Sequence, residues 1–339
     1  QKCRKKFVTT QASEARPFVD ELLDDFPRIV SDLETHQVHT FCEAVAAMIA
    51  SEPNLQRKEF LVERLMKLPN ESWKSVMASA SQNVNILYDA QGVKEIVKIL
   101  RTNARVCKAV GPHGFNKQMG FIFQDMLGVY TAYSQRISHM VEQGGEIAVR
   151  SAEVRSLRSV KRESLRVLDA FVEQSAATEE SRQMVANHFL PGMLEAILKD
   201  YQQTVPPAKE PEVLSLLATC INKLKHAIAN NVPWVLEAVL ECTLQMITKN
   251  FEDYPEHRVN FFKLLQAVND FCFDALFGIP QEHQKLVVDS IIWAFKHTER
   301  NVSDTGLATL FSLLLNVQEN PQVASGFYSS FYLLLLQDI

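Results

Sequence analysis

Apolar residues recur along almost the whole chain at spacings of three and four, with polar positions filling the opposite side of each turn. This is the signature of amphipathic α-helices. The pattern is cleanest between 251 and 318. In the segment 256–276, Phe261, Leu264, Leu265, Val268, Phe271, Cys272 and Ala275 form one broad stripe. Pro255 stands where a helix can begin, because the first turn needs no N–H partner, and Gly278 with Pro280 stands where one ends. The next segment, 281–298, carries two stripes: Val288, Ile291, Ile292 and Phe295 on one side, Leu286, Ser290, Trp293 and His297 on roughly the other. A helix that is apolar on two sides must be covered from two directions, by its own hairpin partner and by a neighbouring hairpin.

The same reading predicts helix after helix from the first residues onward. Segments 16–33 and 36–50 form a hairpin, with Pro17 at its start and Thr35 able to cap the second helix. Segments 56–68 and 72–87 form the next, joined by the turn Pro69-Asn70-Glu71. Segment 92–110 leads into 115–142 across Gly111-Pro112-His113-Gly114, which cannot continue a helix. Segment 153–173 pairs with 181–202, the latter interrupted near Pro191-Gly192. After the linker 205–208 come 211–229 with 233–248, 256–276 with 281–298, and 303–317 with 322–337. First-helix starts near residues 17, 56, 92, 153, 211, 256 and 303 scatter around a period of roughly forty-odd residues, as two-helix solenoid repeats do. The fold class is therefore all-α, a single array over 1–339 of about seven helical hairpins. Each hairpin alone leaves an apolar face wet, and at ~25 cal/mol per Å² of apolar surface stacking such faces stabilises the array by many kcal/mol. A four-helix bundle accounts for two hairpins and not for a long succession of them.

Composition agrees with this picture and narrows it. In 339 residues, 47% are hydrophobic and 22% charged, the balance of a folded chain. Only 11 glycines and 13 prolines are present, fewer turn residues than a sheet-rich protein of this length requires. The longest apolar run, Phe331 to Leu336, falls far short of the roughly 20 residues that span a bilayer. The segment 1–10 is basic and lacks the apolar stretch of a secretory signal. Cys3, Cys42, Cys107, Cys220, Cys242 and Cys272 are scattered without metal-ligand spacing, which favours reduced, buried thiols. A net charge of -5 argues against general nucleic-acid affinity and is compatible with a basic protein partner. With no initiating methionine and an apolar run at its end, the chain reads as part of a longer one.

Candidate chemistry is sparse. His36, His39, Cys42 and Glu43 lie on one helical face at ligand-like spacing, although a polar first turn followed by a buried thiol explains them as well. Gly111-Pro112-His113-Gly114 lacks the lysine and hydroxyl residue of a phosphate-binding loop, and Ser325-Gly326 lacks the frame of a nucleophile elbow. No catalytic residue, cofactor site or metal site is assigned, and the chain is read as a non-enzyme. Arg155, Arg158, Arg162 and Arg166, with Arg150 and Lys161 beside them, advance by three or four and form a basic stripe that is either a solvated face or a contact for an acidic partner. Phe251-Glu252-Asp253-Tyr254 places acids and aromatics in a turn, where Asp253 either caps the next helix or meets a basic surface. Trp293 is either an exposed anchor or part of the core between hairpins.

Several stretches resemble the exportins, nuclear export receptors among the karyopherins of the importin-beta superfamily. They are 250–258 (NFEDYPEHR), 289–298 (DSIIWAFKHT), Thr305-Gly306-Leu307, Lys161-Arg162-Glu163, 210–215 (EPEVLS), Ile221-Asn222-Lys223 and Leu68-Pro69-Asn70. The resemblance extends over the whole chain. It implies HEAT repeats, an α–α superhelix of the ARM type, from the C-terminal half of such a receptor. It also implies a function: carrying proteins with leucine-rich export signals through the nuclear pore together with Ran-GTP, in contact with nucleoporins, while shuttling between nucleus and cytoplasm. Neither direct nucleic-acid binding nor membrane insertion is implied. Cooperative loading requires that cargo and Ran raise each other's affinity reciprocally. In this family the export-signal groove with its reactive cysteine precedes the segment corresponding to residue 1, so none of the six cysteines is assigned to it. The second helices near 233–250, 281–298 and 322–339 then line the inner surface, and Glu237, Glu241, Glu252 and Asp253 are the candidate partner-binding residues, toward Ran. A HEAT-repeat scaffold subunit of a multiprotein complex is the alternative, with the same solenoid and no dependence on Ran.

Overall fold

The amphipathic segments fold as helices whose ends are set by proline, glycine and short polar caps. The computed structural model describes residues 3–249 and 252–338, and among them the fold is all-α, with no strand. The helices divide into two compact units, one up to residue 196 and one from residue 197.

The first unit contains α1 (Arg4–Val8), α2 (Phe18–Asp24), α3 (Phe26–Val30), α4 (Thr35–Ile49), α5 (Leu55–Leu65), α6 (Lys67–Gln82), α7 (Ala90–Val110), α8 (Asn116–Gly144), α9 (Ala152–Ser175) and α10 (Glu179–His188). Helix α11 (Leu190–Gln203) begins there and ends in the second unit. Two rows are formed. In one, α7 lies between α4 and α9 and packs along both, and α1 adds to the row against α4. In the other, α5 touches α2 on one side and α8 on the other. Because α7 is covered from two directions, Val93, Ile96, Leu100, Val106, Cys107 and Val110 are all buried.

The second unit continues with α12 (Glu212–Leu224), α13 (Val232–Thr248), α14 (Pro255–Phe271), α15 (Gln281–Phe295), α16 (Arg300–Glu319) and α17 (Pro321–Asp338). Here α14 packs along both α12 and α16, and α13 packs on α15. The stripe expected on α14 is its core face, with Phe261, Leu264, Leu265 and Val268 buried. Phe271 departs from it: the ring is 40% exposed, with the Lys225 ammonium 5.4 Å from its centroid. The segments 225–231 and 273–277 that were expected to prolong α12 and α14 are 3-10 turns.

Two departures from the sequence reading, and the interruption that it expected near Pro191-Gly192, share one cause. The helix expected over 16–33 breaks at Asp25, that expected over 181–202 breaks at Phe189, and the turn expected at Pro69-Asn70-Glu71 is helical, the break falling at Met66. Each break is followed two or three residues later by a proline, Pro27, Pro191 or Pro69. A proline is tolerated in a first turn, where no N–H donor is needed, and not deeper in a helix. Segments 56–68 and 72–87 therefore fold as α5 and α6 in direct succession rather than as a hairpin, and the heaviest packing after them lies between the expected hairpins. Helix α8 packs along α9 and α15 along α16, whereas α14 meets α15 much less. The cap of α4 is also displaced by one residue: Glu34 is the N-cap, and its N–H donates to Gln37 Oε1 at 2.8 Å, leaving Thr35 as the first helical residue.

Gly306 sets how closely α15 and α16 approach. A Cβ there would lie 2.5 Å from the backbone nitrogen of Phe295 and 2.7 Å from Ala294. Gly120 and Gly128, by contrast, sit inside α8 with nothing near their missing Cβ atoms. Gly306→Ala is expected to lower stability by about 1–3 kcal/mol through overpacking. Gly120→Ala and Gly128→Ala are each expected to raise it by up to about 1 kcal/mol by reducing backbone freedom. Urea unfolding of the three variants measures all of this, and a neutral Gly306→Ala contradicts the close approach.

Candidate functional site

The four acids singled out in the sequence lie in the second unit, on and just after α13. Pro233 occupies the first turn of α13, and Val235, Leu236, Val239, Leu240, Met246 and Ile247 face the core. Spacings of three and four then place Trp234, Glu237 and Glu241 together on the exposed side, Trp234 being 40% exposed. Glu241 Oε1 lies 3.3 Å from His283 Nε2 on α15, a pair too exposed to add much stability. Glu252 and Asp253 are exposed in the turn that follows α13. From Glu241 to the end of α13 is seven residues, or about 10 Å of helix, so the acids form two groups along one edge rather than a single cluster. Phe251 and Asn250 lie outside the described residues.

The turn is held from beneath. Arg258 is a buried side chain of α14, and its Nη2 donates to the carbonyl oxygens of Asp253 at 2.9 Å and Ile247 at 3.3 Å. Its Nη1 lies 3.9 Å from Glu299 at the start of α16. One guanidinium thus ties the end of α13, the turn and the beginning of α16 together. The N-cap of α14 is Tyr254, in the left-handed region at φ 57°, rather than Asp253. Composition could not show that Arg258 is internal, since arginines are usually exposed.

A second charged surface lies in the first unit. The exposed side of α9 carries Arg155 and Arg166 of the expected basic stripe, with Arg158 and Arg162 half-buried, whereas Lys161 is fully buried, its ammonium 5.2 Å from the centroid of the Tyr130 ring. Helix α7 beside it carries Lys94, Lys98, Arg101, Arg105 and Lys108 at alternating spacings of four and three, a face the sequence reading passed over. The acids interleaved with them act as ties between helices. Buried Glu163 on α9 accepts from Arg101 on α7 at 2.7 Å and from Arg166 at 2.8 Å, and Glu43 on α4 pairs with Arg105 at 3.2 Å. The surface is thus a basic band across two adjacent helices, internally braced by Glu163.

The His36, His39, Cys42 and Glu43 set does not converge. His36 is exposed beside Glu34, His39 is buried with Nε2 3.2 Å from the Lys98 carbonyl oxygen, and Glu43 turns to Arg105. Burial pushes the Cys42 thiol up to about 12, which leaves it protonated and unreactive. Among the described residues no group of three or more His, Cys, Asp or Glu could hold a metal ion, and no helix is long and apolar enough to cross a membrane. Trp293 is half-buried, stacked on Phe262 of α14 at 5.8 Å, so it seals the α14–α15 contact rather than projecting from it.

Comparison with known proteins gives one answer. The family model described as "CRM1 C terminal" matches residues 118–339. Along the whole chain, identity is 45% to Protein EXPORTIN 1B of Arabidopsis thaliana, 44% to Exportin-1 of Drosophila melanogaster and 42% to Exportin-1 of Schizosaccharomyces pombe. The chain belongs to the exportin-1 family. It spans 31% of the length of these relatives, and its all-α architecture is the HEAT-type solenoid class of that family. Three of the exportin-like stretches acquire physical roles in the structure: 250–258 contains the buried Arg258, 289–298 contains Trp293, and Thr305-Gly306-Leu307 contains the close approach at Gly306.

His39 gives this site a pH dependence that can be measured. Its pKa is lowered from 6.5 by burial first, with Arg101 and Arg105 adding to the effect. The unfolded chain therefore binds the proton more readily than the folded one, so stability is complete above the unfolded value and falls as pH drops through it toward the lowered folded value. His297, lowered by burial and Arg258, acts in the same direction in the other unit. Stability measured from pH 7.5 to 5 is expected to fall, and His39→Gln is expected to flatten the first-unit part of that fall. An unchanged profile in the variant contradicts the role given to His39.

Proposed function

We propose that this chain is part of a nuclear export receptor, one that carries proteins with leucine-rich export signals through the nuclear pore in complex with Ran-GTP. Identity of 42–45% over the full length of the chain to exportins of a plant, an insect and a yeast is the observation that carries this reading. In the proposal the chain is one HEAT-repeat array, it supplies no export-signal groove, and it performs no catalysis. It meets Ran-GTP, nucleoporins and cargo as part of a receptor that moves between nucleus and cytoplasm.

The charged surfaces say how such contacts could be made. Glu237, Glu241, Glu252 and Asp253 offer an acidic edge to a basic region of Ran, with Trp234 as an apolar anchor among them. The basic band of α7 and α9 suits an acidic surface elsewhere in the assembly. Exposed charges of this kind act mainly on encounter rate and specificity, and a repeat array transmits small rotations between hairpins. Cooperative loading further requires that cargo and Ran favour the same curvature of the array, so that each raises the other's affinity.

In a receptor containing this chain, Glu237→Lys, Glu241→Lys, Glu252→Lys and Asp253→Lys together are expected to weaken Ran-GTP binding roughly tenfold at low salt, with less effect at high salt. Reversal of Lys94, Lys108 and Arg155 serves as a charge-reversal control on the other surface. Unaltered Ran-GTP affinity in the acidic-edge variant removes that edge from the Ran contact. Failure of the unmodified receptor to retain Ran-GTP in a pull-down, with or without an export-signal peptide, would instead favour a scaffold subunit.

A further inference from the structure

Exposed helix faces usually mix the two signs of charge, because like charges three or four residues apart repel and opposite ones support the helix. The exposed face of α7 breaks this habit. Lys94, Lys98, Arg101, Arg105 and Lys108 follow one another at spacings of four and three, so each cation has another cation as its neighbour along the ridge. Val93, Ile96, Leu100, Val106 and Val110 occupy the buried side, which leaves the charges one direction in which to lie. From Lys94 to Lys108 the ridge is about 21 Å long, at the rise of an α-helix.

The acids that approach this ridge are fewer than its cations. On α7 itself Glu95 lies 3.6 Å from Lys98, from α4 Glu43 pairs with Arg105 at 3.2 Å, and from α9 the buried Glu163 accepts from Arg101 and Arg166. Lys94 and Lys108 have no ion pair among the described residues. Glu163 also fixes a geometry: it takes Arg101 through Nε at 3.2 Å and Nη2 at 2.7 Å, which holds the guanidinium in one orientation and leaves Nη1 for a further acceptor. A side chain already held in place loses less freedom when a partner binds it.

We propose that the α7 ridge, with Arg166 of α9 beside it, is a docking surface for an acidic helix of a partner protein, its Asp and Glu residues meeting the cations in register. A helix with acids at alternating spacings of four and three advances by the same ~6 and ~4.5 Å steps as the ridge. An extended segment brings a side chain to one face only every ~6.6 Å and falls out of step over this length. Nucleic acid suits the surface less well: Glu43 and Glu95 lie on it, and α7 contains no aromatic residue on which a base could stack. The proposal is separate from the Ran contact assigned to the acidic edge, which has the opposite sign and lies in the other unit, and it stands whether or not the chain serves export.

The test titrates the full chain into two fluorescent alanine-based helical peptides at low salt and reads their anisotropy. One carries glutamates at alternating spacings of four and three, and the other has the same composition with the glutamates spread around the helix. Saturable binding of the first is expected, with the second roughly tenfold weaker. Lys94→Gln, Lys98→Gln and Lys108→Gln together touch no buried acid and are expected to weaken the first peptide roughly tenfold, about the effect of losing three exposed charge contacts. Lys263→Gln, Lys285→Gln and Arg300→Gln remove the same charge from the second unit and are expected to leave binding within about twofold. Should the first triple variant fail to fold, Lys94→Gln with Lys108→Gln carries the test, at roughly threefold. The proposal is overturned if the patterned peptide does not saturate, if the redistributed one binds as tightly, or if both triple variants weaken binding equally. Tighter binding of an oligouridylate of equal charge, lost in the α7 variant, also overturns it, in favour of nucleic acid.

Discussion

Everything in this molecule depends on helices that are apolar on two sides and must be covered on both. A single hairpin cannot do this. Within each unit the solution is a row: α7 between α4 and α9, α14 between α12 and α16, each central helix buried along its length by the helices on either side. The contact is close where a small residue permits it, as at Gly306, and the backbone there leaves no space for a side chain. Burial of apolar surface supplies the free energy, and the polar pins described below supply the register.

Those pins are buried charges. Glu163 lies between two arginines on neighbouring helices, and Arg258 reaches three segments at once. A buried ion pair contributes little net stability when complete but is expensive to break, because removing one partner leaves the other uncompensated. Such pins therefore select one arrangement of helices more than they strengthen it. They also determine which charges remain outside. With Glu163 internal, the exposed parts of α7 and α9 are predominantly basic. With Arg258 internal, the turn after α13 presents Glu252 and Asp253.

Much of this was legible in the sequence, because three- and four-residue spacing reports directly on which side of a helix is buried. The stripe from Phe261 to Val268, the break near Pro191 and the basic face of α9 are all where the pattern puts them. Pairing was less legible. Pro69 looks like a turn and is in fact a first-turn residue, and the heaviest packing of α8 and α15 is on α9 and α16, between the expected hairpins rather than within them. The distinction rests on contacts between residues far apart in sequence, which local spacing does not encode. The α7 face was missed for a different reason: Lys94, Lys98, Arg101, Arg105 and Lys108 do carry a readable period, but they are interleaved with the apolar stripe and attract no notice singly. The burial of Arg258 had no sequence signal, since it arises from packing among several helices.

The most direct test of the stacked rows is a double-mutant cycle across α7 and α9, using Arg101→Met, Glu163→Gln and the pair together, with stability measured by chemical unfolding. These residues are 62 positions apart in the chain and meet only if the two helices lie side by side. A coupling of about 1 kcal/mol or more is predicted, the size expected for residues in direct contact. Strict additivity of the two single changes would contradict the side-by-side packing on which the rest of the structure is built.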